Sequence, residues 1–412
     1  MVEDYGRGGY CMNNEFSKKI LMVEYVRKYV PFYMRIYETF PKRLHEKVFE
    51  KLPIIDKKQM ITEAGACLSL EYTGAYVKNE VIHVHTSGTS GLFSEVIWHP
   101  KEMNRSLLGL WLLRKKYYGV SPYQKMCYYY WGQDNELFFK NKNSMGIARS
   151  SLYDGRGTEA YFLICKYNPE WMILQPSVAL VLCEYAEKYG KPPALRYIEF
   201  TGEYLENAVR RRVEKIFDCY TSNQYGTKEV NSIAYECPCG KLHIMKDNVY
   251  VEIHKEGDIR NICVTTLQNH VMPMIRYKLD DVGNLYRNYH CKCGMVGDVL
   301  ELESGRSNDM VICEDGSQKH PYMLMNIFHN INREMQGMIF QYQVIQKHIK
   351  KFIVRLVIDD EGLRDYIKNR IMKYFFVVLA VPVEVNFEFY DKYIPDINNS
   401  KLVVFRNEIK LQ

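Results

Sequence analysis

Between Lys101 and Gln224 the chain alternates between two hydrophobic periods, and this most restricts the folds open to it. Lys101 to Tyr117 carries apolar residues at helical spacing, Met126 to Trp131 reads as a buried strand, Trp171 to Leu174 as a short strand, and Ser177 to Gly190 as a helix closed by glycine. Tyr197 to Thr201 then reads as strand, Glu206 to Phe217 as helix and Tyr220 to Gln224 as strand. Repeated βα units of this kind predict an α/β fold with a mainly parallel sheet covered by helices, because a parallel pair needs a crossover and the crossover helix must bury its apolar stripe. In such folds ligands collect outside the carboxyl ends of the strands.

On the N-terminal side, Glu15 to Val30 has helical spacing and a proline-bounded connection runs from Pro41 to Pro53. Beyond Gly283 the pattern changes. Pro321 to Glu334, Phe340 to Gln346, Phe352 to Ile358, Leu363 to Phe375 and Val383 to Tyr390 read as α, β, β, α and β, enough for a small α+β domain. The glycine and small polar residues of Gly305-Arg306-Ser307-Asn308-Asp309 mark a hinge, which predicts a large domain over 1–307 and a small mobile one over 308–412.

The formal charge of +6 on 412 residues is modest and its basic residues are scattered, which argues against nucleic acid as a partner. Met1-Val2-Glu3-Asp4 is acidic where a secretory signal is basic, and the longest apolar run, Phe375 to Val383, is too short for a bilayer and contains Pro382. The expectation is a soluble cytoplasmic protein with no membrane partner. Twelve cysteines without an export signal then read as reduced thiols and metal ligands rather than disulfides.

Directly behind the alternating run Val81-Ile82-His83-Val84 stands His85-Thr86-Ser87-Gly88-Thr89-Ser90-Gly91, whose hydroxyls and backbone N–H groups can cup a phosphate, although an ordinary surface loop has the same composition. Tyr225-Gly226-Thr227-Lys228-Glu229 places a carboxylate behind a strand, where a hard oxygen suits Mg²⁺ bridging to phosphate and where a solvated surface acid is the plainer alternative. Arg276-Tyr277-Lys278-Leu279-Asp280-Asp281 puts two carboxylates on what reads as a turn, able to accept ribose hydroxyls or simply to face water. Gly305-Arg306 adds a guanidinium.

The order of these segments, with Thr201-Gly202-Glu203 between the first two, resembles the adenylate-forming (acyl-AMP) ligase superfamily, and within it the phenylacetate-CoA ligase and coenzyme F390 synthetase-like branch. The likeness runs from about Leu52-Pro53-Ile54 to Lys401. It implies that Thr86, Ser87, Gly88, Thr89, Ser90 and Gly91 wrap the ATP phosphates, with Thr89 a direct donor. Gly202, Glu203, Tyr225 and Gly226 would form the adenine slot beside Thr227. Glu229 would hold Mg²⁺, Asp281 the ribose hydroxyls, and Arg306 would support it. Lys401 would swing onto the α-phosphate during adenylation as the small domain rotates about Asp309. Two positions depart from the family pattern: Leu92 follows the loop where a lysine is usual, and Ser400 stands where glycine usually precedes the late lysine.

Cys237-Pro238-Cys239-Gly240-Lys241-Leu242-His243 and His290-Cys291-Lys292-Cys293-Gly294 form two compact knuckles of soft ligands. Zn²⁺ takes four such ligands tetrahedrally, and six are on offer. The resemblance favours Cys237, His243, Cys291 and Cys293, with Cys239 as a substitute, in a structural site. Tyr128-Tyr129-Tyr130-Trp131 and Pro176-Ser177 lie where related enzymes line an acyl pocket, though a buried strand has the same look.

The resemblance therefore implies ATP-dependent activation of a carboxylic acid, aryl or similar, as acyl-AMP. The acyl group then passes to an acceptor, by default coenzyme A, or to an amine in an amide-forming variant. A homodimer is compatible with that reading. A zinc-containing nucleic-acid-binding protein is the competing class suggested by the knuckles and the positive charge.

Overall fold

The computed structural model describes residues 14–85, 95–130, 137–152, 156–257, 259–304, 311–319, 321–335, 338–391, 394 and 404–409. Among them, one sheet of 12 strands runs through most of the chain, and a four-stranded sheet is built from the C-terminal segments. The hinge at 305–309 and the boundary at 307/308 lie outside the described residues.

The parallel part of the large sheet is the part with crossover helices. Ser144–Ala148, Met126–Tyr130, Trp171–Leu174, Tyr197–Thr201 and Tyr220–Thr227 pair side by side in parallel. Helices Gly157–Tyr167, Pro176–Tyr189 and Asn207–Phe217 connect the later ones. Each helix stops where its sequence allows a reversal: Asn168 and Asp218 take left-handed φ of 53° and 45°, and Gly190 closes the middle one. Pro176 opens that helix at its first turn, where a missing N–H costs nothing. Ile164, Val178, Leu182, Ile198, Phe200, Val213 and Phe217 fill the core between helices and strands.

From Asn231 onward no helix separates the strands of this sheet among the described residues, and the sheet becomes antiparallel. Asn231–Glu236, Leu242–Ile244, Val296–Ser304, Tyr277–His290, Ile259–Thr266 and Val249–Glu256 follow in that spatial order. The large sheet is thus mixed, its parallel character confined to the segments with helix-length connections between them. Helix Asn14–Tyr29 and helix Pro31–Ile36 cover this half, burying Val23, Val26, Val30 and Tyr33 with Val249, Val264 and Ile275.

A buried ion pair ties helix Pro100–Tyr118 to the parallel strands. The Arg114 guanidinium donates two hydrogen bonds to the Glu199 carboxylate, and both side chains are under 8% exposed. Tyr197 and Tyr235 hydroxyls also donate to Glu199, at 3.3 and 3.2 Å, and Trp111 and Trp171 stack against the guanidinium. Buried polar groups need partners, and Arg114, Glu199, Tyr197 and Tyr235 supply one another, while the buried Trp171 Nε1 has no hydrogen-bond partner among the described residues.

The C-terminal sheet has the order Glu384–Phe389, Lys351–Ile358, Ile339–His348, Phe405–Asn407, with helices Tyr322–Glu334 and Arg364–Leu379 packed on it. Phe340, Val357 and Ile394 share the hydrophobic core of the parallel region. There Asn332 Nδ2 donates to Glu206 Oε2 at 3.1 Å. Burial pushes the Glu206 carboxyl up to about 7 from its ordinary 4.5, while the Asn332 hydrogen bond pulls it down. A raised carboxyl contributes stability that is complete below pH 4.5 and is lost as pH rises through about 7. Glu206→Gln should therefore match the parent protein at pH 4 and be more stable at pH 8 by about 3 kcal/mol, measured by denaturant titration at both pH values. Among the described residues no helix is long and apolar enough to cross a membrane.

Candidate functional site

Three groups of sequence-predicted residues meet at the carboxyl edge of the parallel strands. Thr201, the last residue of its strand, donates to Gln224 Oε1 of the next strand at 2.6 Å, which fixes Gly202 and Tyr225 on neighbouring chains. Glu203 turns its carboxylate to the start of helix Pro176–Tyr189, accepting from Ser177 N at 3.0 Å and Ser177 Oγ at 2.9 Å. The positive end of that helix and Arg149, whose Nη2 is 3.5 Å from Glu203 Oε1, both favour the charge. The Glu203 carboxylate is thereby committed to Ser177 and Arg149. Arg149 was missed in the sequence, since it opens the short 3₁₀ turn Arg149–Leu152 directly after strand Ser144–Ala148, with no motif around it.

Tyr225 Oη donates to Asp281 Oδ2 at 2.7 Å, joining the strand-end motif to a carboxylate 56 residues further on. Asp281 is 7% exposed. It does not sit on a turn, as the sequence reading expects, but within the long strand Tyr277–His290. The register slips there, Cys263 facing Lys278 and Asn261 facing Val282, so Leu279 to Asp281 bulge from the ladder. A bulge breaks the alternation that would have marked these residues as strand. Arg276, two residues earlier than Lys278, is a buried clamp donating to Glu252 and to the carbonyls of Glu50 and Leu52, not a surface arginine.

Gly226 lies where the chain must pass close to its neighbour: a Cβ there would stand 2.4 Å from the Asn231 carbonyl oxygen. The tight reversal this permits brings Thr227 Oγ1 to accept from Val230 N at 3.3 Å and places Glu229 in the turn. Glu229 is 4% exposed, and among the described residues its carboxylate has no hydrogen-bond or ion-pair partner. Lys228, the residue before it, is exposed, its Nζ donating to the carbonyl of His85 at 2.8 Å.

His85 ends one strand of a separate hairpin in which Ile82–His85 pairs with Glu95–Trp98. The segment joining these strands carries Thr86, Ser87, Gly88, Thr89, Ser90, Gly91 and Leu92, which lie outside the described residues, as do Arg306, Asp309, Ser400 and Lys401. The hairpin thus delivers both ends of the Ser/Thr/Gly segment to the turn that holds Glu229. Of the expected acyl wall, Tyr129 is buried in the core while Tyr128 and Tyr130 pack on Phe139. Trp131 lies outside the described residues.

The cysteine knuckles are two turns of the same construction. In each, the first cysteine's N–H donates to a carbonyl four residues on, Lys241 or Met295, and the glycine's N–H returns to the first cysteine's carbonyl. Gly240 and Gly294 adopt φ of 70° and 86°, which the turn requires. Strand Leu242–Ile244 pairs with Val296–Ser304, and so the knuckles face each other. The ligand atoms of Cys237, His243, Cys291 and Cys293 all lie within 4.8 Å of one another. Cys237 Sγ is 3.7 Å from Cys291 Sγ, and Cys293 Sγ is 3.5 Å from His243 Nε2. Burial pushes the Cys237 thiol up to about 12 and lowers the His243 imidazole. Cys239 and His290 are exposed and outside the group.

No family model matches the chain. Phenylacetate-coenzyme A ligase of Thermus thermophilus is 26% identical over 185 residues, covering 41% of this chain and 41% of that protein. The chain thus spans well under half the length of that relative. Protein CapK of Staphylococcus aureus is 23% identical over 410 residues, covering 94% of this chain and 87% of its own. Among solved structures, 2-hydroxyisobutyryl-CoA ligase in the postadenylation state with R3-HIB-AMP superposes with a TM-score of 0.70 at 14% identity, over 96% of this chain and 89% of that one. The phenylacetate-CoA ligase likeness in sequence, together with the fold shared over nearly the whole chain, supports the adenylate-forming ligase superfamily, in its phenylacetate-CoA ligase-like branch, as the family that this chain is similar to.

Proposed function

We propose that the protein activates a carboxylic acid, aryl or similar, with ATP to give an acyl-AMP, and passes the acyl group to an acceptor thiol, by default that of coenzyme A. The observation that carries this reading is the Tyr225–Asp281 hydrogen bond, which unites the strand-end motif and the ribose carboxylate beside the neck of the Ser/Thr/Gly loop. In the first half-reaction a substrate carboxylate oxygen attacks the α-phosphorus, the bond to the bridging oxygen breaks, and pyrophosphate leaves. In the second, the acceptor sulfur attacks the acyl carbonyl and AMP leaves with the bonding pair.

Asp281 accepts the ribose hydroxyls, held in place by Tyr225. Gly202, the Glu203 backbone and Gly226 border the base, with the Glu203 carboxylate serving the fold rather than the nucleotide. Mg²⁺, when bound with ATP, would neutralise charge on the phosphates, and the buried Glu229 carboxylate, without a partner among the described residues, is the donor that fits it. Thr86 to Gly91 with Thr89 grip the phosphates, Arg306 supports Asp281, and Lys401 is carried by a small domain over 308–412 that rotates between half-reactions about Asp309.

The four knuckle ligands fit a structural zinc. A tetrahedral centre with Zn–S bonds of about 2.3 Å and Zn–N of about 2.0 Å sets S···S at roughly 3.8 Å and S···N at roughly 3.6 Å, near the distances found here. Four protein ligands leave no position for a reacting water, so this site braces the antiparallel half.

The test is pyrophosphate release over a panel of carboxylic acids, with and without coenzyme A. The expected result is acid-dependent release with a coenzyme A requirement for turnover. Turnover with amines in place of coenzyme A would reassign the acceptor, and absence of release with every acid, together with salt-sensitive nucleic-acid binding, would overturn the reading.

A further inference from the structure

From Thr86 through Trp98 the chain contains no lysine, arginine or histidine. Hydroxyls and backbone N–H groups can orient a triphosphate, but its concentrated negative charge calls for a cation, and Glu229 adds another negative charge nearby. One cation is built into the neck of this loop. Lys228 is exposed at the turn after strand Tyr220–Thr227, one residue before Glu229, and its Nζ lies 2.8 Å from the carbonyl oxygen of His85, immediately before Thr86.

Among the described residues no carboxylate meets this ammonium. Glu95, the acid on the neighbouring hairpin strand, is engaged by His83 at 2.8 Å and faces His85 at 3.8 Å. A neutral carbonyl uses one of the three donors of an ammonium and none of its charge. We infer that Lys228 is the polyphosphate-binding cation of this site, supplying from the strand-end turn the positive charge that the loop itself lacks. The inference rests on the adenylating reading above. It also gives a reason for the departure at Leu92: the cation stands at the strand-end turn instead of in the loop sequence. A compact ammonium on a flexible stem suits the role, since it can leave the His85 carbonyl for a phosphate oxygen without rearranging the backbone.

The experiment compares equilibrium binding of Mg-ATP and of a non-hydrolysable acyl-AMP analogue, which has the adenosine and α-phosphate but no β- or γ-phosphate. Lys228→Met should weaken Mg-ATP by about tenfold or more, as expected for loss of one charge-assisted contact, while leaving the analogue within about twofold. Lys228→Arg should retain most ATP affinity, and Leu92→Lys placed in the Lys228→Met background should regain it. Equal weakening of both ligands would assign Lys228 to the fold, and unchanged ATP binding would remove it from the phosphate site; either overturns the inference while the adenylating reading stands. A parent protein that binds neither ligand overturns the reading and this assignment together.

Discussion

Replacing Glu229 by glutamine should cut acid-dependent pyrophosphate release by about two orders of magnitude or more, the scale expected when the protein ligand of a catalytic cation loses its charge. The same substitution should leave thermal stability unchanged or raise it. Glutamine keeps the shape of the side chain, and Glu229 is a nearly buried carboxylate with no partner among the described residues, an arrangement that costs the folded state free energy. Raising Mg²⁺ should recover part of the rate. Lost activity with preserved or improved stability separates a cation ligand from a structural acid. A variant that releases pyrophosphate at the parent rate would remove Glu229 from the site.

Stripping metal from the protein with a strong chelator should lower its unfolding midpoint by on the order of 10 °C. A site saturated a thousandfold above its dissociation constant contributes about 4 kcal/mol to the folded state, and each kcal/mol moves the midpoint of a domain of a couple of hundred residues by roughly 2–4 °C. Cys291→Ser should do the same and abolish stoichiometric zinc, whereas Cys239→Ser, at an exposed thiol outside the group, should do neither. The antiparallel half should loosen first, because the knuckles tie strand Leu242–Ile244 to strands Tyr277–His290 and Val296–Ser304. Nucleotide affinity should fall with it, since Asp281 belongs to one of those strands. Metal-free protein as isolated, with no response to chelation, would leave the four residues as an ordinary thiol cluster.

The parallel half was legible because its signals are local. Amphipathic helices ended by Asn168, Gly190 and Asp218, and short strands such as Trp171–Leu174, repeat a unit whose pairing follows from connection length. The knuckles were legible for the same reason, each being a self-contained turn with its glycine in place. The antiparallel half was not, since its longest strand carries a bulge at the point where Asp281 must turn inward. Contacts across large sequence separations, such as Arg149 with Glu203 or Lys228 with His85, leave no periodic trace at all. The edge strand Phe405–Asn407 joins Ile339–His348 in parallel and is likewise too short to announce itself.

The pair of Arg114 and Glu199, sealed between two tryptophans and two tyrosines, restricts how this lineage can diverge. Losing either residue alone strands the other's charge in the core, at a cost of about 3–5 kcal/mol, whereas exchanging both for apolar side chains is close to neutral. Across related sequences these two positions should therefore covary, either keeping the charges together or surrendering them together.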